Sequence, residues 1–344
     1  MRTWKKPLGM SLPFMMLALG ACNPAPESAR RPTPSNGVCD DTATSQFVAR
    51  QLTLPSLTRS YAMDLDGDGS TDNRFQPLFV GLRAVGFDSQ ALVNNMVARG
   101  RGMTLVEVLG SARTSGCSAA VRLQPAQQPA MPPRYDGRDA FSVKPGHSAL
   151  SLEGTVSDGT LGTTSPLDLQ GTEVAPLRIY VSLFEGVTIP LDLYGVQLEG
   201  TLNDDGTLEG ELHAVLRKQD IDEQVIPAMA EALTAKVHKD PEDPMALAIT
   251  TFFEDQDHAS SKAKCDTEPE RCCAKSPTTC DISVAELREN TLLMASLEPD
   301  VQMFQDGVWS PTPEGTAKDS VSIGFGISAV QASFELAPET LSDR

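Results

Sequence analysis

The stretch Asp64-Leu65-Asp66-Gly67-Asp68-Gly69-Ser70-Thr71-Asp72-Asn73 places four carboxylates within nine residues. Charges so close repel one another unless a cation neutralises them. Asp64, Asp66 and Asp68 fall at loop positions 1, 3 and 5, and Gly69 at 6, where the chain must turn sharply. Ser70 stands at 7, where a backbone carbonyl would ligate, and Asp72 at 9. This spacing wraps hard oxygen ligands around Ca²⁺, whose flexible shell accepts them. The plainer alternative is an acidic surface turn built on Asp-Gly pairs.

The loop resembles an EF-hand through position 9 and departs from it at position 12, where Phe75 replaces the bidentate Glu. Pro55 also argues against a helix leading into it. It is closer to the shorter DxDxDGxxD loops of thrombospondin type 3 repeats, dockerins and integrin-type propeller repeats. That resemblance implies a structural calcium with few protein ligands and a Kd of roughly 10⁻⁴ to 10⁻³ M. The remaining ligands would be water or a distant carboxylate, with Asp88 a candidate.

The N-terminus suggests where such a loop would operate. Arg2, Lys5 and Lys6 precede a short apolar run, Leu8 to Ala18, too short to span a bilayer stably. Leu19-Gly20-Ala21-Cys22 follows and resembles the lipobox of bacterial lipoproteins. The resemblance implies cleavage after residue 21, lipidation of Cys22 and membrane attachment through several acyl chains, including palmitate. With Asn23 after the cysteine, it favours the outer membrane of a bacterial cell envelope. Residues 22–38 are proline-rich with no large apolar residue before Val38, as a flexible tether would be. Residues 39–123 form a calcium-loop region, 124–134 a Pro-rich linker, and 135–344 a β-rich domain with a Cys-rich segment at 265–280.

The chain carries a net charge of −18, and 25 basic against 46 acidic residues once the first 21 are set aside. Nucleic acid would repel it. Its 26 Gly and 25 Pro point to a loop-rich α+β fold, an antiparallel sheet or sandwich with about four short helices. Helices are expected at Gln76–Ala84, Asp88–Arg99 (capped by Asp88), Asp220–Lys236, and Ser283–Leu297 (opened by a Ser283/Glu286 capping box). Hairpins are expected at Asp158-Gly159 and Asp205-Gly206. Val321, Ile323, Phe325 and Ile327 alternate with Ser and Gly, a strand with one close-packed small-residue face.

Beyond Cys22, an even six cysteines remain, which suits disulfides in an oxidising compartment. A Cys39–Cys117 bridge would bracket the acidic loop and contribute roughly 4 kcal/mol. Cys265, Cys272, Cys273 and Cys280 would pair as 265–272 with 273–280, or in the crossed arrangement, since adjacent cysteines bridge only under strain. A four-thiolate zinc site is the competing reading.

No familiar catalytic pattern emerges. His147, His213, His238 and His258 form no H-x3-H or HExxH, and there is no G-x-S-x-G and no phosphate-binding glycine loop after a strand. The mature chain resembles Gram-negative envelope lipoproteins that combine a DLDGDG..DN loop, a C…CC…C segment and an S-I-G-F-G-like strand, a resemblance that implies no activity. The expectation is a calcium-binding envelope lipoprotein with a non-enzymatic binding or structural role, its protein or glycan partner unidentified. A calcium-dependent hydrolase and a carrier of apolar ligands are the alternatives.

Overall fold

The computed structural model describes residues 43–84, 87–110, 117–164, 171, 174–184, 187–253, 281–312 and 315–335. The strands are β1 (Thr44–Thr53), β2 (Thr104–Leu109), β3 (Cys117–Pro125), β4 (Ala140–Ser142), β5 (Leu150–Ser157), β6 (Thr160–Thr163) and β7 (Leu177–Phe184). They continue with β8 (Val187–Leu202), β9 (Thr207–Arg217), β10 (Phe304–Gln305), β11 (Val308–Trp309), β12 (Ser320–Gln331) and β13 (Ser333–Glu335).

Eight strands bond in the order β6-β5-β3-β2-β1-β12-β9-β8, every neighbouring pair antiparallel. Strand β8 then pairs back to β6, which closes the sheet into a barrel and leaves β7 as an extension on β8. The expected antiparallel sheet is therefore present as a closed ring, which removes its free edges. An eight-stranded ring is just wide enough for side chains to fill. Alternation supplies the filling: Phe47 and Ala49 from β1, Val106 and Val108 from β2, Val121 and Leu123 from β3, Leu212 and Ala214 from β9, and Ile323, Phe325 and Ile327 from β12.

The hairpins sit where the Asp-Gly pairs predict. Asp158 and Gly159 both take positive φ, 51° and 78°, the twist that joins antiparallel strands without splaying them. Gly206, at φ 79°, turns β8 into β9. Residues 124–134, read from sequence as a linker, begin within β3, and strands from both sides of them share the ring.

Six helices are described, against the four expected. α1 (Gln76–Ala84) and α2 (Ser89–Ala98) stand as predicted, and Asp88 caps α2 by accepting from Ala91 N. α3 begins at Lys218–Asp220, passes a π turn at Ile221–Val225 and continues over Ile226–Lys239. Pro227 has no N–H for the carbonyl a turn earlier, and the wider bond from Ile226 N to Ile221 O absorbs the mismatch. α4 (Pro244–Phe253) was not foreseen. The single helix expected over 283–297 is two, α5 (Val284–Glu289) and α6 (Thr291–Leu297). The Ser283/Glu286 capping box opens the first, and Asn290 leaves helical geometry to cap the second through Leu293 N.

In a bare barrel every second residue from Ser320 to Val330 would face water, yet all eleven are buried. The cover over the outer face of β12 is the segment from Leu54 to Phe75, which contains the acidic loop. It comes so close that a Cβ on Gly324 would lie 1.9 Å from the Tyr61 carbonyl oxygen, and one on Gly326 2.7 Å from the hydroxyl of the Tyr61 side chain. The small residues of β12 are thus the floor on which this segment lies.

Candidate metal centre

The acidic loop is tied at its neck. Met63 and Asp72 form an antiparallel bridge, with Asp72 N donating to Met63 O at 2.8 Å. Beyond the neck, the Asn73 amide donates to the carbonyls of Ser60, Tyr61 and Gly324. Arg74 N donates to Ser322 Oγ at 2.8 Å and Phe75 N to Ser322 O at 3.3 Å. Phe75 itself is 2% exposed and packed into the core. The residue that takes the place of a twelfth-position Glu is therefore an anchor that fixes the loop to the barrel.

Within the loop, backbone amides pre-shape the carboxylates. Asp64 accepts from Gly67 N at 2.7 Å and from Gly69 N at 3.0 Å. Asp66 accepts from Asp68 N, Asp68 from Ser70 N, and Asp72 from Leu65 N. Gly67 and Gly69 turn the chain at φ 83° and 86°, a region costly for other residues. One oxygen each from Asp64, Asp66 and Asp72 lies within 4.8 Å of the others, the one such acidic, His or Cys group among the described residues. Oxygens on opposite sides of an ion at ~2.4 Å are themselves about 4.8 Å apart, so the three fit inside a single coordination shell. Asp68 and Ser70 stand exposed at the tip, outside this triad. Asp88 is occupied as the α2 cap and does not belong to it.

Burial makes the cluster electrostatically costly. Asp66 is 1% exposed, and that burial, with repulsion from Asp68, raises its carboxyl above the usual range. Asp72 is pushed up to about 7, first by burial and then by repulsion from Asp300, Asp66 and Asp68. Asp300, raised chiefly by its own burial, receives hydrogen bonds from the backbone N and the hydroxyl of Ser322. A cation between Asp66 and Asp72 would relieve the repulsion that both now feel.

Two participants come from far along the chain. Lys318 Nζ lies 3.3 Å from Asp66 Oδ2, and the charge of Asp300 is near enough to repel that of Asp72. Neither belongs to a local pattern, and only the return of the chain as β12 brings them to the loop. Leu65, meanwhile, points away from the carboxylates into a second apolar cluster with Tyr194, Val215, Val301, Met303 and Trp309. The loop therefore has one face against β12 and one side chain embedded beside Trp309.

No family model, curated protein or solved structure matches the chain.

The remaining sequence-predicted residues are placed as follows. Cys117 opens β3 and is fully buried. Cys22, Cys39, Cys265, Cys272, Cys273 and Cys280 lie outside the described residues, as does His258. His213 is 2% exposed on the outer face of β9, opposite Gly324, and burial lowers its pKa. His147 stands edge-on to Tyr180 at 6.5 Å between ring centres. His238 pairs with Asp281 at 3.2 Å. A groove of about 880 Å³ opens between α2, β7 and α3 and is rimmed by charges of both signs, Arg99, Arg101, Lys239 and Asp240 among them.

Proposed function

We propose that the protein is a calcium-binding lipoprotein of the bacterial cell envelope, in which the ion has a structural role. The observation that carries this reading is the convergence of Asp64, Asp66 and Asp72 within 4.8 Å, with Asp66 buried. An all-oxygen set on a flexible loop suits Ca²⁺ better than Mg²⁺, which demands near-ideal octahedral geometry, or Zn²⁺, which favours N and S. Asp68, the Ser70 carbonyl and water complete the shell. Binding would join the two ends of the loop and so tighten the cover over β12, stabilising the barrel rather than switching it.

The rest of the reading rests on sequence. Leu19-Gly20-Ala21-Cys22 supports lipidation at Cys22, with residues 22–38 as a tether that holds the barrel off the outer membrane. Cys39 is the proposed partner of Cys117, closing a loop around the acidic segment. The apolar packing inside the ring supports a structural or binding role rather than transport of an apolar ligand. Calorimetric titration of the full chain in detergent tests the metal assignment: Ca²⁺ binds with a Kd of roughly 10⁻⁴ to 10⁻³ M, and Asp66→Asn abolishes the heat. An unchanged titration in Asp66→Asn overturns it. Cys22→Ser releasing the protein from the membrane fraction tests the anchor, and undiminished membrane attachment refutes it.

A further inference from the structure

Resting on that metal assignment, we infer that Lys318 is a tethered counter-cation for the acidic loop, and that a divalent ion must displace its ammonium in order to bind. Asp66 is almost fully enclosed, at 1% exposure, and its partner at 3.3 Å is an ammonium brought from 252 positions away. A buried carboxylate without a partner is strongly unfavourable. Lys318 supplies that partner when no metal is present.

The surroundings hold the backbone beside Lys318 and leave its side chain room to move. Asp319 accepts from Met303 N at 3.0 Å and Phe304 N at 2.9 Å. Its own N–H donates to Val301 O at 3.1 Å, and its carbonyl accepts from Lys218 N at 2.8 Å. The Lys318 side chain is 30% exposed and so has a path into solvent. An ion coordinated by Asp66 would lie about 5 Å from an ammonium left in place, and a double positive charge repels it at that range. The site therefore exchanges one cation for another. Its metal affinity is set by this competition as well as by ligand number, and occupation frees a lysine at the surface.

The exchange has a signature that a merely structural lysine lacks. Calcium is titrated calorimetrically into the full-length wild type, Lys318→Met, which keeps the apolar stem, and Lys318→Arg, which keeps the charge. Lys318→Met binds calcium at least tenfold more tightly than wild type, and Lys318→Arg stays within about threefold of it. Without calcium, Lys318→Met melts below wild type, because Asp66 has lost its partner; in saturating calcium the order reverses. On the wild type itself, calcium increases acetylation of Lys318 by acetic anhydride, read by peptide mass spectrometry. Equal or weaker calcium binding by Lys318→Met, or labelling that calcium leaves unchanged, overturns the exchange while leaving the metal site standing. No calcium heat in either wild type or Lys318→Met overturns both.

Discussion

Replacing Gly324 by alanine tests whether the loop depends on its seat over β12. The added methyl would sit 1.9 Å from the Tyr61 carbonyl oxygen, whereas ordinary contact begins at 3.4 Å, so the covering segment must retreat by about 1.5 Å. Tyr61 belongs to the same short segment as Ser60, and both carbonyls accept from the Asn73 amide, which also reaches Gly324 O at 3.2 Å. Forcing a methyl into a packed contact costs typically ~1–3 kcal/mol, and each hydrogen bond lost adds about 1 kcal/mol. The expected destabilisation is thus about 2–4 kcal/mol, or a fall in melting temperature of roughly 5–10 °C. Gly162→Ala is the control: it too is a barrel-strand glycine, but its added methyl meets nothing within 4 Å, and it should cost less than ~0.5 kcal/mol. Both variants are followed by thermal unfolding monitored by circular dichroism, without calcium. If Gly324→Ala melts with Gly162→Ala, the segment does not hold the barrel through its contact with β12.

Other substitutions probe the cluster and its neighbours. Asp72→Asn removes a repelling charge, so the calcium-free protein should melt higher than wild type while losing its calcium-induced stabilisation; scanning fluorimetry with and without calcium reads both. Without calcium, the raised carboxyl of Asp72 makes the folded state the better proton binder between about pH 4 and 7. Stability should therefore fall as pH rises through that window, and calcium should cancel the fall; urea midpoints at pH 5 and pH 7.5 give the sign. Leu65→Ala opens a hole beside Trp309 and should cost about 2–5 kcal/mol, with a red shift of Trp309 emission.

Local chemistry made much of this fold readable in advance. The Asp158-Gly159 hairpin, the Asp88 cap and the Ser283/Glu286 capping box each depend on residues within a few positions of one another, and the structure has all three. The alternation of Val321, Ile323, Phe325 and Ile327 identified a strand with a small-residue face, and Gly324 marks where the Tyr61 backbone lies against it and Gly326 where the Tyr61 ring does. What could not be read is set by distance along the chain. Closure of the ring needs β6 to pair with β8, about 40 residues later, and no motif encodes that pairing. Asn290 sits in a polar run, Arg288 to Thr291, between Leu287 and Leu292, whose spacing also suits one continuous helix, and this hides its role as a cap. The acidic loop divides in the same way. Its carboxylate spacing was legible, but the choice of Asp88 as a distant partner was not correct, because that side chain is spent on α2. Asp300 and Lys318 reach the loop through β12 alone, so the groups that tune the site became visible only once the barrel was assembled.

The central claim is that the acidic loop binds calcium and thereby stabilises the barrel. The most direct measurement is the melting temperature of the full chain and its Asp66→Asn variant, each without divalent ions and in ~10 mM calcium. At a Kd of roughly 10⁻⁴ to 10⁻³ M, mass action adds about 1.4–2.7 kcal/mol. Wild type should rise by roughly 3–8 °C, with no rise in Asp66→Asn. Equal melting temperatures for the wild type with and without calcium would contradict the account.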